Sequence, residues 1–133
     1  MVLTLDPSDA AYYSLVANNH WWVAIDYANR TGNLNNGQVV KNNDGTVTYV
    51  IAPKDPGVHN WIDLAGHNYT VLDVRVQGLS PKPPYEPTID YKVVKVSELK
   101  SALLPETKWV TSEERAEQIA KRQKQIGARL ADH

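Results

Sequence analysis

Residues 69–77 read Tyr-Thr-Val-Leu-Asp-Val-Arg-Val-Gln, and this alternation decides the fold. Leu72, Val74 and Val76 fall on one face, and Tyr69, Val71, Asp73, Arg75 and Gln77 on the other. Successive side chains of a strand point to opposite faces, so a period of two marks a strand with one buried face. The same pattern recurs on either side. In 46–51, Val47, Tyr49 and Ile51 oppose Thr46, Thr48 and Val50. In 21–27, Trp21, Val23, Ile25 and Tyr27 oppose Trp22, Ala24 and Asp26. In 11–17, Tyr13 and Leu15 oppose Tyr12 and Val16. With 2–5, 38–41 and 91–96 this makes about seven strands, spaced by turn signals as in a sandwich or barrel.

The turns agree with that count. Asn43-Asp44-Gly45 precedes Val47, and Asp-Gly supplies the positive φ angles of a tight hairpin turn. Pro7-Ser8-Asp9 reads as a second turn. Residues 1–80 hold three of the four tryptophans and five of the seven tyrosines. Such side chains fit a pleated surface. The expected fold is mostly β: an antiparallel, jelly-roll-like β-sandwich with one or two C-terminal α-helices. Residues 1–80 form its core, the proline-rich stretch 81–90 an extended connector, and 91–133 a last strand and helices of the same domain.

The tail changes character. Ser97 is placed to cap a short helix, 98–104, ending before Pro105. Thr111-Ser-Glu-Glu114 reads as a capping box for a helix over about 112–130. Ala116, Ile119, Ala120, Ile126 and Leu130 form its thin apolar stripe, which lies either on its own sandwich or on a partner subunit. Lys121, Arg122, Lys124 and Arg129 suit the carboxyl end of the helix dipole.

Composition removes several function classes. The 133 residues are 42% hydrophobic and 22% charged with a net charge of −1, which suits one folded domain. Balanced charge gives no global field for nucleic acid or an anionic membrane. Zero cysteines exclude disulfides, thiolate metal sites and a cysteine nucleophile. The chain has no apolar run long enough for a membrane span and no basic-then-apolar leader, so a cytoplasmic protein is expected. Neither phosphate-loop glycine pattern occurs, nor does a nucleophile-elbow serine.

Residues 52–67 interrupt the strands with a long non-periodic loop. It gathers Asp55, His59, Asn60, Trp61, Asp63 and His67. Trp61 is expected to anchor it, with its indole N–H bonded. His59 and His67 with an aspartate could ligate a metal, though His-x7-His has no helical ligand spacing. The same groups could serve acid–base chemistry. Against both, the aspartates can simply cap turns and the histidines can lie at the surface. Tyr12, Trp22, Asp26, Tyr69, Asp73, Arg75 and Gln77 offer a third reading, a ligand face of rings and charges, unless the C-terminal helix covers Trp22. Asn29, Asn35 and Gln38 lie in a further polar loop whose asparagines suit turns.

Asp26-Tyr27-x-Asn29-Arg30, Leu34-Asn35-x-x-Gln38, Asp55-Pro-Gly-Val-x-Asn60-Trp61-Ile-Asp63, Gly66-His67 and Arg75 together resemble the bacterial domain of unknown function 1214. The resemblance covers roughly 2–77, and the Asp-Pro-Gly-Val-x-Asn-Trp run is its most specific part. It implies a jelly-roll-like sandwich that closes a larger protein, with no assigned activity. Gly32-Asn33, Leu64, Asn68-Tyr69 and Val76-Gln77 depart from the family's usual residues. A fragment of such a protein would expose a sheet edge.

The expected function is therefore a small-ligand-binding or assembly module, with no cofactor or metal. Its site groups Asn29, Asn35, Gln38, Asp55, His59, Asn60, Trp61, Asp63, His67 and Arg75 at one end of the sandwich, Arg75 pairing with Asp63 or Asp55. The alternative is a metal- or histidine-assisted hydrolase or lyase using His59, His67 and Asp63. The expected partners are a small ligand and, through the C-terminal helix or a sheet edge, a second copy.

Overall fold

The computed structural model describes residues 1–81 and 86–131. Seven strands form two sheets. The first contains β1 (Val2–Asp6), β4 (Val47–Ala52), β5 (Trp61–Asp63) and β7 (Thr88–Lys92), in the order β5-β4-β1-β7. The second contains β2 (Tyr12–Asn18), β3 (Asn33–Asn35) and β6 (Val71–Gln77), in the order β3-β2-β6. A short 3-10 turn (Val96–Glu98), α1 (Leu99–Ala102) and α2 (Ser112–Ala131) follow. No helix among the described residues is long and apolar enough to cross a membrane.

The alternating residues meet between the sheets, as a sandwich requires. Leu3, Leu5, Val47, Tyr49, Ile51 and Ile62 of the first sheet pack with Tyr13, Leu15, Ala17 and Leu34 of the second. Leu72, Val74 and Val76 join this core from β6, the face their spacing assigns. The other face of the first sheet carries a smaller cluster, where Val2 and Val50 meet Val58, Leu99 and Leu103. Pro7-Ser8-Asp9 is a turn that carries the chain from one sheet to the other, and the Ala10 N–H donates to the Pro7 carbonyl.

Several expected elements differ. Residues 21–27 are not a strand. The Asn19 side-chain oxygen accepts the N–H groups of Trp21 and Val23 at 2.9 and 3.1 Å, so a local bond competes with the ladder. Trp22 sits at φ 62° in the left-handed region and is exposed, not covered by α2. Residues 38–41 also form no strand, so Asn43-Asp44-Gly45 turns the chain without joining two strands.

Two strands arise where loops were expected. Each spans only three residues, too few to show a period: β3 lies in the asparagine-rich stretch and β5 inside 52–67. β5 pairs parallel with β4, so the sandwich is not wholly antiparallel. The last strand begins at Thr88 rather than 91, inside the expected connector; residues 82–85 of that connector lie outside the described residues. Ser97 does not cap α1 but lies within the 3-10 turn, whose N-cap is Lys95.

The capping box forms in full. The Thr111 N–H donates to Glu114 Oε2 at 2.8 Å, and the Glu114 N–H to Thr111 Oγ1 at 3.2 Å. The docking face of α2 is not the expected apolar stripe. Ala116, Ala120 and Leu130 are exposed; Arg115 and Arg122 are its buried residues, with Ile119 and Ile126 half-buried beside them. Among the described residues no Cα of α2 lies within 8 Å of a strand Cα. The helix lies on its own chain, held off by long side chains.

Candidate functional site

The 55–67 segment starts with a local turn. Asp55 Oδ1 accepts the Gly57 N–H at 2.8 Å, and Gly57 takes φ 76°, which glycine adopts without strain. Residues 57–59 then run beside 108–110: the Val110 N–H donates to the Gly57 carbonyl and the His59 N–H to the Lys108 carbonyl. Arg115 closes the bend from above. Its Nε and Nη2 donate to the two Asp55 oxygens at 2.9 and 3.1 Å, and Nη1 and Nη2 to the carbonyls of His59 and Val58. Gln118 adds a bond to the His59 carbonyl and accepts one from Arg115. Trp61 anchors the bend as expected: it is buried, and its indole N–H donates to the Ala52 carbonyl at 2.9 Å.

Asn60 is buried and fully engaged. Its amide donates to the carbonyls of Val40 and Thr48 at 2.7 and 3.1 Å and accepts the Val40 N–H at 2.9 Å. This bonding fastens 38–41 to β4 without a strand. Asp63 is buried and paired with Arg30 at 3.0 Å, and it also accepts the Ala65 N–H at 2.8 Å.

The expected pairing of Arg75 with Asp63 or Asp55 does not occur. Arg30 and Arg115 take those partners, whereas Arg75 is exposed on β6 opposite Ser14. His67 is exposed in the turn after β5, and its N–H donates to the Leu64 carbonyl. His59 is half-buried, with Nε2 3.2 Å from the Gln38 carbonyl; that oxygen only accepts, so Nε2 carries the proton. Burial, more than any neighbouring charge, holds His59 below the usual imidazole range. Among the described residues no three histidine, aspartate or glutamate side chains group so as to hold a metal. The constellation of His59, His67 and Asp63 is not assembled.

The other half of the expected site comes together under α2. Gln123 donates to Asn29 Oδ1 at 3.0 Å, and Asn29 in turn donates to Asp26. Asn35 and Gln38 hold one turn: Asn35 Oδ1 accepts the Gly37 N–H and Gln38 Oε1 the Asn35 N–H. Both line an open cleft of about 410 Å³ between the second half of α2 and the outward residues of β2 and β3. Tyr12 and Ser14 of β2 form its floor, and Arg122 and Arg129 come from the helix. Its lining includes no aspartate or glutamate.

Arg122 is the anchor of this region. Nη1 donates to the Tyr27 carbonyl at 2.9 Å and to Asn33 Oδ1 at 2.7 Å, and Nη2 donates to the Asn33 carbonyl. These acceptors are all neutral. Burial lowers its pKa below the ordinary arginine value. Arg30, Arg115 and Arg122 were not among the expected site residues. The sequence signal was the 115-119-122-126 spacing, which puts two arginines on the seam of α2.

No family model and no curated protein matches this chain. Among solved structures it is similar to an uncharacterised protein from Burkholderia cenocepacia, with a TM-score of 0.58 and 28% sequence identity. The match covers 72% of this chain and 26% of that one, so the shared sandwich spans about a quarter of the longer protein.

Proposed function

We propose that this chain is a binding module for a small organic anion, a carboxylate or a phosphate ester, seated in the cleft between α2 and the outward face of β2 and β3. The observation that carries the reading is Arg122, a buried guanidinium with no carboxylate partner among the described residues. A buried charge is costly unless an opposite charge or a full set of hydrogen bonds compensates it.

Guanidinium has five N–H donors. Both hydrogens of Nη1 and one of Nη2 are engaged with Tyr27 and Asn33. The Nε–H and the second Nη2–H have no acceptor among the described residues. An Nε–H and an Nη–H on one edge of a guanidinium are the pair that grips a carboxylate or phosphate with two bonds. Arg129 adds a second positive charge, and Tyr12, Ser14, Asn35 and Gln38 supply neutral polar groups to orient the rest of a ligand. The cleft volume lies within the range of small-molecule sites.

The Asp-Pro-Gly-Val-x-Asn-Trp run supports grouping the chain with the domain of unknown function 1214. The partial match to a longer uncharacterised protein supports reading the sandwich as a unit used inside larger chains. The reading places the module in the cytoplasm, where small carboxylates and phosphate esters are abundant.

Titration calorimetry with a panel of small carboxylates and phosphate esters, each beside its neutral amide or alcohol analogue, tests the proposal. Saturable binding of one anion, absent for its neutral analogue and weakened at least tenfold by Arg129→Gln, is expected. Absence of binding across the panel, or affinity unchanged by Arg129→Gln, overturns it.

A further inference from the structure

Strand β7 ends the first sheet: it pairs with β1 and, among the described residues, with nothing on its other side. All five of its residues are exposed. Backbone parity shows which of its groups are free. Met1 and Ile51 exchange two bonds, the terminal amine donating to the Ile51 carbonyl and the Ile51 N–H to the Met1 carbonyl. Hydrogen-bonded and non-bonded pairs alternate along antiparallel strands. Leu3 and Leu5 therefore turn their backbone groups toward β4, and Val2, Thr4 and Asp6 turn theirs toward β7. The partners of those three are Lys92, Asp90 and Thr88. Ile89 and Tyr91 are left with N–H and C=O pointing away from the sheet.

The side chains of Ile89 and Tyr91 are also uncovered. They stand opposite Leu5 and Leu3, so they lie on the face that elsewhere forms the core. They are nevertheless 50% and 66% exposed, and Val93, next along, is 82% exposed. An apolar face thus continues past the second sheet to a free edge.

A second copy pairing antiparallel with this edge must set free groups against free groups, so an odd-numbered residue faces an odd-numbered one. Centring on any of the five residues of the strand satisfies this, but centring on Thr88 or Ile89 sets Pro87, which has no N–H to donate, against Ile89 or Tyr91. Centring on Asp90 puts that carboxylate opposite itself, and centring on Lys92 does the same with the ammonium. Like charges directly opposite destabilise a pair of strands. Centring on Tyr91 sets Asp90 against Lys92 of the second copy, twice by symmetry. It also sets Tyr91 against Tyr91 and Ile89 against Val93. We propose that β7 is a homodimerisation edge and that two copies join antiparallel about Tyr91, merging their first sheets into one eight-stranded sheet. The interface is self-complementary, as a two-fold contact must be. It is independent of the anion cleft under α2.

Sedimentation velocity of the full chain over a concentration series tests the proposal. The unmodified protein is expected to dimerise. Asp90→Lys and Lys92→Asp each place like charges opposite one another and are expected to weaken the dimer at least tenfold. The double change restores the opposition of unlike charges and is expected to restore the dimer. A protein that stays monomeric throughout, a dimer indifferent to either single change, or a double variant no better than the singles overturns the proposal. Hydrogen exchange of the unmodified chain supplies a readout free of substitution. The Ile89 and Tyr91 amides are expected to become protected as concentration rises, and protection that does not change with concentration also overturns it.

Discussion

The guanidinium of Arg115 lies 5.1 Å from the centroid of the Trp61 ring while its nitrogens hold both carboxylate oxygens of Asp55. One side chain of α2 thus joins the ring, the carboxylate and the carbonyls of the 55–59 bend. The bend that looks most like a ligand loop in sequence is the platform on which the helix docks. The open cleft lies further along the helix, where Arg122 takes over as anchor.

Arg115→Ala is expected to destabilise the fold by about 2–4 kcal/mol. That is somewhat below the usual cost of breaking a buried ion pair, because Asp55 keeps contact with water. Arg75→Ala removes a charge of the same kind from an exposed position and is expected to cost under about 0.5 kcal/mol. Urea unfolding of both variants checks the contrast, and equal effects would contradict the clamp.

Asn60→Asp is expected to cost about 2–4 kcal/mol although it preserves shape. A carboxylate cannot donate to the Val40 and Thr48 carbonyls, and the buried acceptors lose their partner. Hydrogen exchange at Val40, whose N–H donates to Asn60 Oδ1, should accelerate in the same variant if the amide is what secures 38–41.

Tyr49→Phe presents the opposite case. The Tyr49 hydroxyl is buried with no hydrogen-bond partner among the described residues, and burial raises its pKa. Removing it deletes an unsatisfied polar group while the ring stays packed. Thermal unfolding should show a change within about 0.5 kcal/mol or a gain in stability. A loss above about 1.5 kcal/mol would mean that the hydroxyl has a partner.

His59 couples stability to pH. Its pKa is depressed in the folded chain, chiefly by burial, with the Lys108 and Arg115 charges adding to the effect. The Gln38 carbonyl and Glu114 oppose it. The unfolded chain therefore binds the proton more readily. Stability is fully present above the ordinary imidazole pKa of about 6.5 and falls as pH drops from there toward the folded value. Between about pH 7.5 and pH 5 the melting temperature of the unmodified chain should fall relative to that of His59→Gln as pH drops. Parallel curves would contradict the coupling.

Much of the fold is legible because strands of six or seven residues display their period. Val71–Gln77 and Val47–Ala52 announce both their existence and their buried faces. The capping box is legible for a related reason: Thr111 and Glu114 satisfy each other within one turn and need nothing distant. Residues 21–27 mislead because their alternation is genuine but Asn19 offers the backbone a closer partner than any neighbouring strand. The three-residue strands β3 and β5 are invisible because their strandedness comes from the chains beside them. In the candidate site, Asn35 and Gln38 were legible as polar groups of one turn. Arg122 was misread, because a cation late in a helix has a local explanation in the dipole.

Short-range chemistry is what the residues settle alone: alternation, turns, caps and balanced charge yield a β-sandwich with a helical tail whatever surrounds them. Which arginine meets which aspartate is a long-range matter. Asp63 could bond any of several guanidinium groups, and only the packed sheets bring Arg30 to it and leave Arg75 in water. The cleft is likewise a product of tertiary structure, since it exists because long side chains, not an apolar stripe, hold α2 away from the strands.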